Sequence, residues 1–165
     1  MSVTSPKPAG PEPSLAEATL ALLAASRALV GVAARSLADI DGTITLPQYR
    51  ALVLLAIRGD QNVGGLADAL DIHPSTTTRL CNRLVAKGLV ERTTPEGNRR
   101  EVTVALTADG DALVRAVAAK RRAEVRRIVT RLDPDARRGL VDAFTTFADA
   151  AGEAPDDAWK LGWAA

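Results

Sequence analysis

Six side chains between positions 75 and 83 carry the most suggestive chemistry in this chain: Ser75, Thr76, Thr78, Arg79, Asn82 and Arg83. In a helix, Thr77, Leu80, Cys81 and Leu84 recur at steps of three and four and take the inward face. The six then share the outward face, with small hydroxyls at its start, guanidiniums further along and no carboxylate. Such a face suits a polyanion. Short side chains let a helix N-terminus approach phosphate, where its amides and dipole favour an anion. Arginine adds bidentate contacts to guanine or a charge contact to phosphate. A merely solvated helix usually mixes glutamate with lysine, so the missing acid is the informative feature. A second basic element follows at Arg99 and Arg100, inside the polar stretch 94–101 that Pro95 and Gly97 mark as a loop.

Other candidates weigh less. The sequence has one cysteine and one histidine, which excludes a disulfide framework and any cysteine-based zinc cluster. Cys81 falls on the inward face, where it reads as a small apolar core residue rather than a redox sensor. His73 precedes Pro74 at a helix start and reads as an exposed turn residue. The run 120–127 is the densest basic patch and reads as a solvated or interface surface, with acids of the first and sixth helices as possible partners. Trp159 and Trp163, in an otherwise small-residue tail, resemble an amphipathic anchor. No serine–histidine–aspartate arrangement, phosphate-binding glycine loop or HExxH pattern is present, so the sequence predicts no enzyme, no metal and no cofactor.

Charge divides along the chain. Residues 79–131 hold 13 Lys/Arg against 6 Asp/Glu, whereas the whole chain nets only +1. A basic segment on an acidic scaffold is the implied organisation. Aromatics are 3% of the residues, so the core must be built from leucine, valine and alanine. The sequence shows no apolar run approaching the roughly 20 residues that span a bilayer, and positions 1–13 hold four prolines and no signal-peptide core. The expected compartment is the cytoplasm.

The elements that position these residues follow from caps and periods. After a Pro-rich, disordered tail over 1–13, Ser14 and Glu17 form a capping box that opens a first helix reaching about residue 38. Leu15, Leu22, Leu23, Leu29, Val30 and Leu37 form its apolar stripe, which needs a partner surface. Thr45 and Gln48 cap a second helix that stops at Gly59, and a short third helix covers 63–70. A tight turn over 71–74 leads into a fourth helix ending at Gly88. The runs 89–93 and 102–106 read as two strands joined by a hairpin loop. Thr107 caps a fifth helix to about residue 132, and Asp133 with Pro134 starts a sixth that runs to about residue 150. The expected fold class is mainly α with a small β-hairpin wing, a winged helix-turn-helix carrying long dimerisation helices.

Several stretches together resemble one family. They are Leu46-Pro47-Gln48-Tyr49, the segments 63–72 and 73–80, Lys87-Gly88-Leu89-Val90-Glu91-Arg92, Asn98-Arg99-Arg100 and the segment 106–110. In that order and spacing they look like the multiple-antibiotic-resistance regulator (MarR) family, and with the flanking helices the resemblance covers about 14–150. It implies a winged helix over 46–106, dimerisation helices over 14–40 and 107–150, and a separate tail over 151–165. It also implies a homodimer on double-stranded DNA, with two lobes entering successive major grooves of a pseudopalindromic operator. Arg100 would enter the flanking minor groove, where negative potential is enhanced, with Arg99 on a phosphate. A small effector, often an aromatic acid, would bind between the dimer helices and the lobe, with Tyr49 and Arg50 as wall residues.

Two departures from the family pattern stand out. Asn98 replaces an aspartate that pairs with the wing arginine, and a neutral bond there is weaker than a charge-assisted one. His73 replaces a better capping residue. The sequence thus predicts a DNA-binding regulator, usually a repressor released by ligand. The rival expectation is a winged-helix dimer that serves as a protein interaction module and binds DNA only nonspecifically.

Overall fold

A computed structural model describes residues 12–40, 42–93 and 102–152. Six helices and a small sheet run in the order α1 (Leu15–Ala38), α2 (Leu46–Arg58), β1 (Gln61–Asn62), α3 (Val63–Leu70), α4 (Pro74–Ala86), β2 (Val90–Thr93), β3 (Thr103–Leu106), α5 (Ala108–Val129) and α6 (Pro134–Ala150). Each helix starts where its cap dictates. Ser14 Oγ accepts from the Glu17 amide at 3.2 Å while Glu17 Oε2 accepts from the Ser14 amide at 2.9 Å, satisfying two donors that a helix end leaves orphaned. Thr45 and Gln48 repeat this reciprocal pair at α2. Asp133 Oδ1 accepts from the Ala136 amide at 2.8 Å to open α6.

The helix ends are equally local. Gly59 closes α2 at φ 74°, a left-handed value that costs glycine nothing. Asp71 ends α3 in the left-handed region at φ 54°, which short polar side chains tolerate better than most. The turn from α3 to α4 is therefore tight.

One element was not anticipated. The sheet has three strands rather than two, in the order β1-β3-β2, all antiparallel. Gln61 pairs with Val104 and Asn62 with Thr103, so β1 covers the free edge of β3. Val90 opposes Leu106 and Thr93 opposes Thr103, where the two threonine hydroxyls share a 2.7 Å hydrogen bond.

The core lies inside the winged lobe and reaches α5. Leu52, Leu66, Leu84, Val104 and Val114 are fully buried, and Tyr49, Cys81 and Val117 pack in the same cluster. Gly110, in the first turn of α5, passes so close to the residue before β2 that an added Cβ would lie 2.1 Å from the Leu89 carbonyl oxygen. Thr107 reinforces that junction by donating to the Gly88 carbonyl at 2.7 Å and accepting from the Gly110 amide at 3.1 Å.

The first helix departs from the expected stripe. Leu37 is buried and Leu22 and Leu29 are partly so, but Leu15, Leu23 and Val30 are exposed. The packed face runs through Ala25, Val32 and Ser36 instead, one side of the predicted stripe. Ser36 is accommodated there because its hydroxyl donates back to the Val32 carbonyl at 2.8 Å. The apolar content of α1 also corrects the reading of its hydropathy: by length and composition alone it is a helix that could cross a membrane. Its C-terminal half instead packs against α5, and the Arg35–Glu124 and Lys120–Asp39 ion pairs, at 3.2 and 3.0 Å, stitch the two together.

Candidate nucleic-acid interface

The fourth helix is held by its inward face. Thr77, Cys81 and Leu84 have no exposure and Leu80 very little, so the helix cannot rotate without opening the core. This places Ser75, Thr76, Thr78, Arg79, Asn82 and Arg83 together on the exposed face, as the spacing predicts. No carboxylate interrupts them. Among the described residues no ion pair engages Arg79 or Arg83.

The start of this helix is better made than its sequence suggests. His73 does cap it: Nδ1 accepts from the Ser75 amide at 3.2 Å and lies 2.9 Å from Ser75 Oγ. Pro74 follows at a position whose missing amide hydrogen would have been unsatisfied anyway. Thr78 donates its hydroxyl to the Pro74 carbonyl at 2.9 Å, leaving oxygen lone pairs and a methyl group outward. A close surface of hydroxyls and methyls at a positive helix end can meet phosphates and base edges without steric penalty.

A further residue belongs to this surface. Arg92, on β2, donates from Nη2 to Asn82 Oδ1 and so ties the wing sheet to the outward face of α4. Nothing local in the sequence marks that pairing, since the partners lie ten positions apart across a turn. Alternation along β2 puts Arg92 on the side of buried Val90 rather than that of Glu91, yet Arg92 is exposed. Cys81 lies beneath: burial pushes its thiol up, and the Arg92 guanidinium opposes that shift.

The remaining expected residues are distributed differently. Arg99 and Arg100, with Asn98, lie outside the described residues, as do Trp159 and Trp163. Tyr49 is buried in the core between α2 and α5, and burial pushes its hydroxyl up while the Arg121 guanidinium works the other way. Arg50, the next residue along α2, is exposed.

A short helix, a tight turn, a core-anchored second helix and an antiparallel wing together define a winged helix-turn-helix. The sequence profile of the MarR family matches residues 44–102, which spans α2 through the wing. The solved structure of RV1404 from Mycobacterium tuberculosis is 44% identical, with a TM-score of 0.80, over 88% of this chain and 99% of that one. A MarR family protein from Bacillus stearothermophilus is 25% identical with a TM-score of 0.76, over 88% of this chain and 100% of that one. Among sequence relatives, the HTH-type transcriptional repressor MdtR of Bacillus subtilis is 32% identical over 87 residues, which are 53% of this chain and 56% of that protein. The matched stretch thus spans little more than half of that repressor. The chain belongs to the MarR family, whose members are transcription regulators and not enzymes.

Proposed function

We propose that this chain represses transcription as a homodimer, each protomer laying α4 in the major groove of one half of a pseudopalindromic operator. The observation that carries the reading is the exposed, carboxylate-free face of α4, fixed by the burial of Thr77, Cys81 and Leu84 beneath it. Ser75, Thr76 and Thr78 approach the backbone and base edges, and Arg79, Asn82 and Arg83 read bases or hold phosphates. Arg100 enters the flanking minor groove and Arg99 holds a phosphate beside it. The repressor sense is supported by likeness to MdtR, which is described as a repressor.

A small aromatic or phenolic effector releases the DNA. Tyr49 supports this, because it sits where the winged lobe meets α5 and a ligand prising that junction would change the spacing of the two lobes. Exposed Arg50 would hold the acid group at its rim. The site of action is wherever the operator is, the cytoplasm of a bacterial cell.

Fluorescence anisotropy on DNA flanking the chain's own gene tests the whole reading. Binding in the nanomolar range, at least about a thousandfold tighter than to scrambled DNA, is expected, with affinity falling steeply with salt. Arg79→Ala together with Arg100→Ala abolishes it. Equal affinity for operator and scrambled DNA would instead make the chain an interaction module. Titration of phenolic acids into the complex should lower the anisotropy.

A further inference from the structure

We infer that Arg92 is a positioning residue for base recognition, and that it makes Asn82 a reader of hydrogen-bond acceptors only. The inference rests on the DNA-binding role of α4 and concerns which bases that helix selects. An asparagine amide has two ends, an acceptor oxygen and a donor NH2 group. Left to itself it uses both on adenine, accepting from N6 and donating to N7. Here one lone pair of the oxygen is used, and with it the orientation of the amide is set. Arg92 Nη2 donates to Asn82 Oδ1, and because a guanidinium carries donors and no acceptor, the amide cannot face it the other way round.

The consequence is a changed vocabulary. With Oδ1 turned toward β2, the NH2 group is what the amide can offer a base, and it fits the accepting edges, guanine N7 and O6 or thymine O4. Adenine loses half of its usual pair with asparagine, and cytosine, which offers a donor, is disfavoured. Arg92 reaches this position because it lies two residues beyond Val90 on the same side of β2, the strand that packs against α4, at a point in the ladder where that side is exposed. Arg92 therefore selects a base through another residue, without touching that base itself.

The test is selection of binding sites from a randomised duplex library by four proteins: wild type, Arg92→Met, Arg92→Lys and Asn82→Ala. Met keeps the unbranched stem of the side chain as far as the position of Nε and removes its donors, whereas Lys keeps a donor. Wild type should favour guanine or thymine over adenine at one position of each half-site by at least about fivefold. Arg92→Met should gain adenine at that position alone, with the rest of the site unchanged. Arg92→Lys should retain the wild-type choice, and Asn82→Ala should lose any choice there. If Arg92→Met selects the wild-type site at every position, the inference is overturned while DNA recognition stands. A uniform loss of affinity with unaltered base preference also overturns it, since that is the mark of a structural or phosphate contact. Wild-type protein that enriches no sequence at all overturns the recognition role of α4 and this inference with it.

Discussion

Gly110 and Gly88 sit at the two ends of one junction but are glycines for different reasons. At Gly110 the obstacle is space, because a methyl would meet the Leu89 carbonyl oxygen at 2.1 Å and Leu106 Cδ1 at 2.8 Å. At Gly88 nothing lies within 4 Å of such a methyl, and the obstacle is its φ of +70°. Gly110→Ala must push α5 off β2, so it should cost about 2–3 kcal/mol, the upper part of the range for overpacking. Gly88→Ala should cost about 1–2 kcal/mol from backbone strain alone. Urea unfolding of the two variants separates these cases, and equal losses would mean that α5 yields freely. The buried thiol and phenol give a pH signature. Cys81 and Tyr49 are both raised above their ordinary values of 9.0 and 10.0 by burial. The unfolded chain therefore releases these protons first, and stability is intact below about pH 9 and declines as pH rises through the folded values. Cys81→Ala should flatten the first part of that decline in urea melts, and an unchanged slope would mean that the thiol is open to water. Inward Cys81 and the outward hydroxyls were legible because a 3.6-residue period assigns faces without reference to any other element. The Arg92–Asn82 bond was not, because it depends on how a strand lies across a helix.

Elements were readable wherever local chemistry closes them. Ser14, Thr45, Thr107 and Asp133 each accept from an amide three residues on, which is why the helix starts could be placed from the sequence. These caps are not equivalent. Thr45 serves α2 alone, whereas Thr107 also donates to the Gly88 carbonyl and so binds α5 to the turn before β2. Thr45→Ala should cost about 1 kcal/mol. Thr107→Ala should cost about twice that, since it loses a second hydrogen bond of about 1 kcal/mol, and Thr107→Ser should restore most of it. Thermal melts of the three variants check the order, and a harmless Thr107→Ala would show that Gly110 holds the junction unaided. Two features escaped the sequence for reasons of scale. Strand β1 is two polar residues, Gln61 and Asn62, with no apolar alternation to betray it. It exists because β3 offers an unpaired edge. The packed face of α1 was only half legible: Leu22, Leu29 and Leu37 lie on it, but leucine content also marked Leu15, Leu23 and Val30, while the face packed inward also bears Val32 and Ser36.

At the scale of the molecule, the unpacked surface is the informative part. No residue of α6 is buried, and Val141 and Phe147 are 63% and 48% exposed. At the start of α1, Leu15 and Leu20 are 86% and 67% exposed. Two long helices that leave large apolar side chains in water need a covering surface, and in the proposed homodimer a second copy would supply the same faces in reverse through a two-fold axis. Wild-type protein should therefore be dimeric at micromolar concentration by light scattering, and Val141→Glu with Phe147→Asp should yield monomers whose winged lobe still melts cooperatively. That lobe has its own core around Leu52, Leu66 and Leu84, far from either substitution in the chain. The DNA consequence follows from geometry. Paired recognition helices bind half-sites about 34 Å apart, one turn of the duplex, so the second contact is made at the high effective concentration set by the dimer. A monomeric variant keeps every contact of α4 yet loses that advantage, and its operator affinity should fall by about 10²- to 10⁴-fold. Its preference among bases within a half-site should stay as it was. Undiminished operator affinity in a variant shown to be monomeric would mean that one lobe reads the operator alone, and the exposed faces of α1 and α6 would then serve something other than DNA recognition.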